Sequence, residues 1–199
     1  MKKVILLICS FVLLLTCSSV ATAQTNTFFE TQTMATEVYD NWVVDGGVFH
    51  RFSDNWKIRT FFLMKNSWGQ AHLGPIWQPL DWLQVGVSVG VRKGIDGWDF
   101  QTSYLLVLSK KKFSFVGMVE AGRLAYAGDH DQVWYDLTVR WKAMKWLTIG
   151  LKDRRPAGVG PLVEFHFWKL TAWAAWVPMD SEAPEFDWPR TLLGLKICL

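Results

Sequence analysis

Asp129-His130-Asp131 sets an imidazole between two carboxylates. A neighbouring carboxylate raises the basicity of a histidine and orients its ring, which is what a general base requires. The preceding Gly128-Asp129 also reads as a solvated turn. A second pattern, Gly86-Val87-Ser88-Val89-Gly90, matches the G-x-S-x-G of serine nucleophiles. That motif works where a strand turns sharply into a helix and exposes the hydroxyl. His72, His166, Glu120 and Glu164 form a third set of acid–base groups. Metal-ligand spacing, a phosphate-cradling glycine loop and an aromatic-basic nucleic-acid surface are absent, so neither a cofactor, a metal nor a nucleic-acid partner is expected.

The elements that hold these residues decide between the readings. From Leu83 to Arg92 the chain alternates: Leu83, Val85, Val87, Val89 and Val91 share one face, and Gln84, Gly86, Ser88, Gly90 and Arg92 share the other. That period of two is a strand, and it places Ser88 in mid-strand, where small residues on a polar face account for the motif. The split recurs at 133–141, at 146–152 and in Leu193, Leu195, Ile197 and Leu199 against Arg190, Gly194 and Lys196. Looser alternation occupies 56–65, 70–77, 98–108, 113–123, 161–167 and 170–176, with the weakest patterns at 27–38 and 42–52. β-Branched residues, aromatics and internal glycines disfavour helix throughout, so the chain is expected to be all-β. Short connections at 53–55, 78–81, 109–112, 142–145 and 168–169 interleave with longer ones. Their number predicts an antiparallel up-and-down arrangement of twelve strands, with ten as the alternative.

Composition adds a location. Lys2-Lys3, the apolar run from Val4 to Thr16 and Ala21-Thr22-Ala23 before Gln24 make the three parts of a signal peptide, predicted over residues 1–23, with the domain proper at 24–199. Cleavage removes Cys9 and Cys17, leaving Cys198 without a disulfide partner, and takes two lysines from a formal charge of +3. A nearly neutral chain is no electrostatic footprint for nucleic acid. Beyond residue 23 no apolar run reaches the roughly 18 residues of a spanning helix. The 13 tryptophans gather toward predicted strand ends, as at Trp56, Trp82, Trp98 and Trp146. That is where interfacial girdles place an indole with its apolar body and wet N–H.

With its export signal, dyad strands at 82–92 and 133–141, short turns alternating with longer loops, and an alternating apolar C-terminus, the chain resembles the bacterial outer-membrane β-barrel class. The resemblance implies a transmembrane β-barrel in the outer membrane of a Gram-negative cell, with membrane lipids and the barrel-assembly machinery as partners. Strand parity then aims Arg51, Lys57, Arg59, Arg92, Arg140, Lys152, Arg190 and Lys196 into the lumen, against Asp45, Glu120, Asp136 and Glu164, with His72 and His166 on the same face. Excess positive lining suits a small passive pore that favours anionic solutes, by the logic of charged rings in selective channels. A barrel in which these charges merely pair, serving as a scaffold for surface loops, is the bland counterpart. Two further alternatives stay open. One is an outer-membrane protease or lipid hydrolase using His130 with Asp129 or Asp131, or a lumenal histidine. The other is a soluble periplasmic ligand-binding barrel.

Overall fold

Alternating β-branched and aromatic residues, broken by turn residues, form twelve strands in a computed structural model that describes residues 24–34, 42–65, 68–94, 97–122, 133–155, 157–177 and 190–199. They are β1 (Thr25–Met34), β2 (Val43–Arg51), β3 (Trp56–Lys65), β4 (Trp68–Leu80), β5 (Leu83–Gly94), β6 (Gly97–Lys110), β7 (Phe113–Gly122), β8 (Val133–Lys142), β9 (Leu147–Arg154), β10 (Gly158–Phe167), β11 (Leu170–Val177) and β12 (Arg190–Cys198). Each strand pairs antiparallel with its sequence neighbours, and β1 closes the ring on β12 from Phe28↔Cys198 to Met34↔Leu192. The result is a closed all-antiparallel barrel, the fold class that the alternation predicts. Closure leaves no sheet edge and satisfies the strand backbones internally.

β1 covers Thr25–Met34, and residues 35–38 of the expected strand lie outside the described residues. β4 runs past Trp77 to Leu80, because a register shift between Trp77 and Leu80 carries the pair past Pro79, which has no N–H to give a regular ladder. The turn that follows is reduced to Asp81-Trp82, so Trp82 lies in a turn, as does Trp146 before β9. The segment 1–23 and the Asp129-His130-Asp131 run fall outside the described residues, as does the Arg190 side chain.

The faces of the wall differ sharply. Ser88 is 2% exposed and its neighbour Val89 is 55% exposed. Along β5 the outward set is Val85, Val87, Val89 and Val91, and Leu73, Phe100, Tyr104, Leu151, Leu193 and Leu195 continue it around the barrel. Stacked aromatic pairs Trp56–Trp77, Phe113–Trp141 and Trp146–Phe165 line the short-turn rim. An apolar band of this extent on the outside, with polar residues inside, inverts the arrangement of a water-soluble barrel.

Inside, one apolar cluster joins Ala157, Leu162, Trp173, Ala175, Val177 and Leu192. The Trp173 indole lies against the backbone of Gly194, where any Cβ would overlap the ring. Gly90 makes similar room: a Cβ there would come within 2.8 Å of the His72 ring carbon Cγ. The glycines of the G-x-S-x-G pattern are thus spacers on the inward face. Ser88 itself stands opposite Ser103 on β6, within a continuous ladder.

Candidate functional site in the barrel interior

Inward parity on twelve strands brings side chains from distant parts of the sequence to one axis, and they sort into two webs. In the first, Asp136 on β8 accepts from Lys152 Nζ on β9 through both oxygens, at 2.7 and 2.9 Å, and Arg154 Nε lies 2.9 Å from Oδ2. Arg154 also donates through Nη1 to Gln32 Oε1 on β1, and Gln32 Nε2 donates to Asp45 Oδ2 on β2 at 2.7 Å. Since β10, β11 and β12 separate β9 from β1 in the wall, this chain of contacts crosses the lumen. Below it Trp173 Nε1 donates to Glu30 Oε1 at 2.7 Å, and Lys152 sits 5.3 Å over the Trp173 ring. Arg140 Nε donates to Glu164 Oε1 at 2.8 Å.

The second web spans β3 to β7. Gln70 Nε2 donates to Glu120 Oε2 at 2.6 Å, and His72 Nε2 lies 3.6 Å from Glu120 Oε1 with its side chain wholly buried. Arg59 reaches Met118 Sδ at 2.8 Å and Ser103 Oγ at 3.5 Å, with its guanidinium 5.0 Å over Phe61. Arg92 pairs with Asp99 at 3.5 Å. Gln70 satisfies one oxygen of Glu120, while Glu120 Oε1 and both His72 ring nitrogens are buried without a hydrogen-bond partner among the described residues, a desolvation cost only partly offset.

Three inward cations are held differently. Arg51, the last residue of β2, donates to Gln78 Oε1 at 3.2 Å, and Lys57, second in β3, donates to Gln84 Oε1 at 3.3 Å. Lys196, near the end of β12, lies 4.3 Å over the Phe28 ring. Among the described residues no carboxylate lies within ion-pair distance of the three. Arg51 and Lys57 are also direct cross-strand partners, a like-charge pair that repels unless an anion lies between them. All three stand at strand ends beside short turns. The webs border a cavity of about 600 Å³ lined by both signs of charge, Arg59, Arg140, Lys152, Arg154 and Lys196 with Glu30, Asp45, Asp136 and Glu164, beside Phe28, Phe49, Gln84 and His166.

The interior holds charges that parity on the clearest strands did not assign. Arg154 extends β9 by one inward step beyond Lys152, Asp99 lies two before Gln101, and Glu30 belongs to the weakly patterned β1. Including them and Lys65 at the end of β3, the described inward set is Arg51, Lys57, Arg59, Lys65, Arg92, Arg140, Lys152, Arg154 and Lys196 against Glu30, Asp45, Asp99, Glu120, Asp136 and Glu164, a smaller cationic excess than parity alone gives. Extending the 146–152 strand by two residues would have found Arg154, whereas Asp99 already lies within the loosely alternating 98–108 segment. Trp134, on the same face of β8 as Asp136, lies 5.2 Å from the Arg154 guanidinium.

Of the lumenal histidines, His72 is sealed from the cavity. His166 is held through both ring nitrogens, by Thr148 at 2.8 Å and Thr171 at 3.0 Å. Ser88 is not hydrogen-bonded to either. Among the described residues no group of three or more His, Cys, Asp or Glu is arranged to hold a metal.

A closed twelve-stranded antiparallel barrel with an apolar exterior and a charged interior is the architecture of outer-membrane porins. Solved structures carry the same fold. The NanC porin in a rhombohedral crystal form and the KdgM porin in complex with disordered oligogalacturonate each superpose with a TM-score of 0.53 at 10% identity, covering 86% of this chain and 98% of theirs. A second KdgM porin structure superposes at 0.52 with the same identity and coverage. No family model and no curated protein matches the sequence.

Proposed function

We propose that the protein is an outer-membrane pore, exported by residues 1–23, whose lumen favours small anionic solutes. The observation that carries this reading is the trio Arg51, Lys57 and Lys196, inward cations at one rim without carboxylate partners, two of them directly opposed. A solute carboxylate or phosphate entering there would relieve the repulsion and reach a cavity whose lining includes Arg140 and Arg154. The apolar exterior supports a bilayer location, with the short turns on the periplasmic side and the barrel-assembly machinery delivering the chain. Anionic cargo is also consistent with the fold neighbour solved with oligogalacturonate, itself an anionic oligosaccharide.

Planar-bilayer recording under a salt gradient tests the proposal. The expected result is a small conductance whose reversal potential reports anion preference. Replacing Arg51, Lys57 and Lys196 by Gln is expected to shift that potential toward cation preference. A cation-preferring unmodified pore, or an unshifted variant, refutes it.

A further inference from the structure

The outer surface of the short-turn rim is divided by charge. The turns joining β6 to β7, β8 to β9 and β10 to β11, with their flanking residues, carry Lys110, Lys111, Lys112, Lys142, Lys145 and Lys169, all exposed. Among the described residues none of the six forms an ion pair, and no acid lies in these turns. The turns of the opposite sector, β2 to β3 and β4 to β5, carry Asp54 and Asp81 instead. Lys142 N donates to Lys112 O at 2.8 Å, joining two of the basic turns, and the acidic turn before β5 joins the rim in the same way through Ser109 N to Trp82 O at 2.8 Å.

Beside the lysines, on the same strands and turns, runs a band of exposed aromatics: Phe113, Trp141, Trp146, Phe165, Phe167 and Trp168. Trp168 is the most telling of them. It occupies φ +54 at a turn position where glycine would be unstrained, and the residue is 94% exposed. Among the described residues its ring meets only the Lys169 ammonium, 5.3 Å away, so packing does not offset that strain. An indole held out into solvent on strained backbone, over a row of unpaired ammoniums, matches the two layers of a phospholipid monolayer. Aromatic rings fit the boundary of acyl chains and headgroups, and ammoniums fit the phosphates.

We infer that this sector of the rim, from β6 to β11, is a docking surface for anionic phospholipid headgroups of the periplasmic leaflet. The phosphodiester oxygens are held by the lysines, and the glycerol and upper acyl chain lie against the aromatics. This inference rests on the membrane orientation proposed above. It predicts a barrel solvated asymmetrically, with negatively charged lipid collected on one side.

The test uses the whole barrel reconstituted in phosphatidylcholine bilayers with trace spin-labelled phosphatidylglycerol or spin-labelled phosphatidylcholine, the protein-bound fraction being read by electron spin resonance. Bound phosphatidylglycerol should exceed bound phosphatidylcholine by about fivefold for each engaged lysine. The ratio should fall to near one when all six lysines become Gln. Lys93→Gln, at the opposite rim, should leave it unchanged. Raising salt from about 0.05 M to about 0.5 M should erode the preference of the unmodified barrel, since the Debye length then falls below ~5 Å. That arm and the smaller variant K110Q/K111Q/K112Q decide the matter even if the sixfold variant does not fold. An inserted barrel with a ratio of one, a preference that survives both salt and substitution, or lysine-dependent binding to peptidoglycan without lipid preference overturns the inference. A barrel that does not enter bilayers at all overturns the orientation on which it rests, which is a separate result.

Discussion

Asp136→Asn removes one charge from the lumen with almost no change of shape. In the native protein Asp136 receives Lys152 at 2.7 and 2.9 Å and Arg154 at 2.9 Å. With asparagine there, two buried cations face a neutral amide, and breaking a buried pair from one side costs about 3 kcal/mol or more. The same substitution changes the field along the pore. A unit charge acts on an ion ~4 Å away with about 1 kcal/mol even at the dielectric of water, and at ~0.1 M salt the Debye length of about 10 Å screens little of that. Local anion occupancy should therefore rise about fivefold, and cation occupancy should fall by a similar factor. The two effects are read separately, stability from the temperature at which heat-modifiable gel mobility is lost and selectivity from the reversal potential in a salt gradient. The expected outcome is a lower transition temperature together with a reversal potential moved toward the anion limit. Adding Lys152→Met restores the native charge balance, and it should return the potential toward the native value. A folded Asp136→Asn barrel with an unmoved reversal potential would falsify the assignment of Asp136 to the conducting path.

Other substitutions probe the architecture. Arg154→Ala deletes the span from β9 to Gln32 on β1 and the stack over Trp134, so single-channel conductance should increase, as measured in the same bilayers. Gly194→Val forces a side chain into the Trp173 indole and should cost about 2 kcal/mol in urea unfolding, with partial recovery in Gly194→Val/Trp173→Ala. Val89→Arg places a cation on the apolar outside of β5 and should cost about 2–4 kcal/mol and lower the assembled fraction on heat-modifiable gels, whereas Ser88→Ala on the inward face should leave assembly intact.

The class of fold was legible in the sequence because a strand's two faces are set by a period of two, and a barrel that keeps apolar residues outside repeats that period along every strand. The 82–92 segment carries this alone: four outward valines against Gln84, Ser88 and Arg92. Even the serine motif could be read down to spacer glycines from its place in the alternation, before the fit of His72 against Gly90 was known. What alternation cannot carry is which inward residues meet. Asp136 and Lys152 are neighbours in a hairpin, but Arg154 and Gln32 come together only because the sheet closes, and that contact depends on barrel radius, strand tilt and stagger rather than on any local pattern. The weakly alternating β1 hid Glu30 for the same reason, since its partner Trp173 lies across β12. Parity thus determined that the interior is charged. Closure decided which charges neutralise one another and left Arg51, Lys57 and Lys196 at one rim without a carboxylate, because pairing depends on distances across the lumen that no single strand encodes.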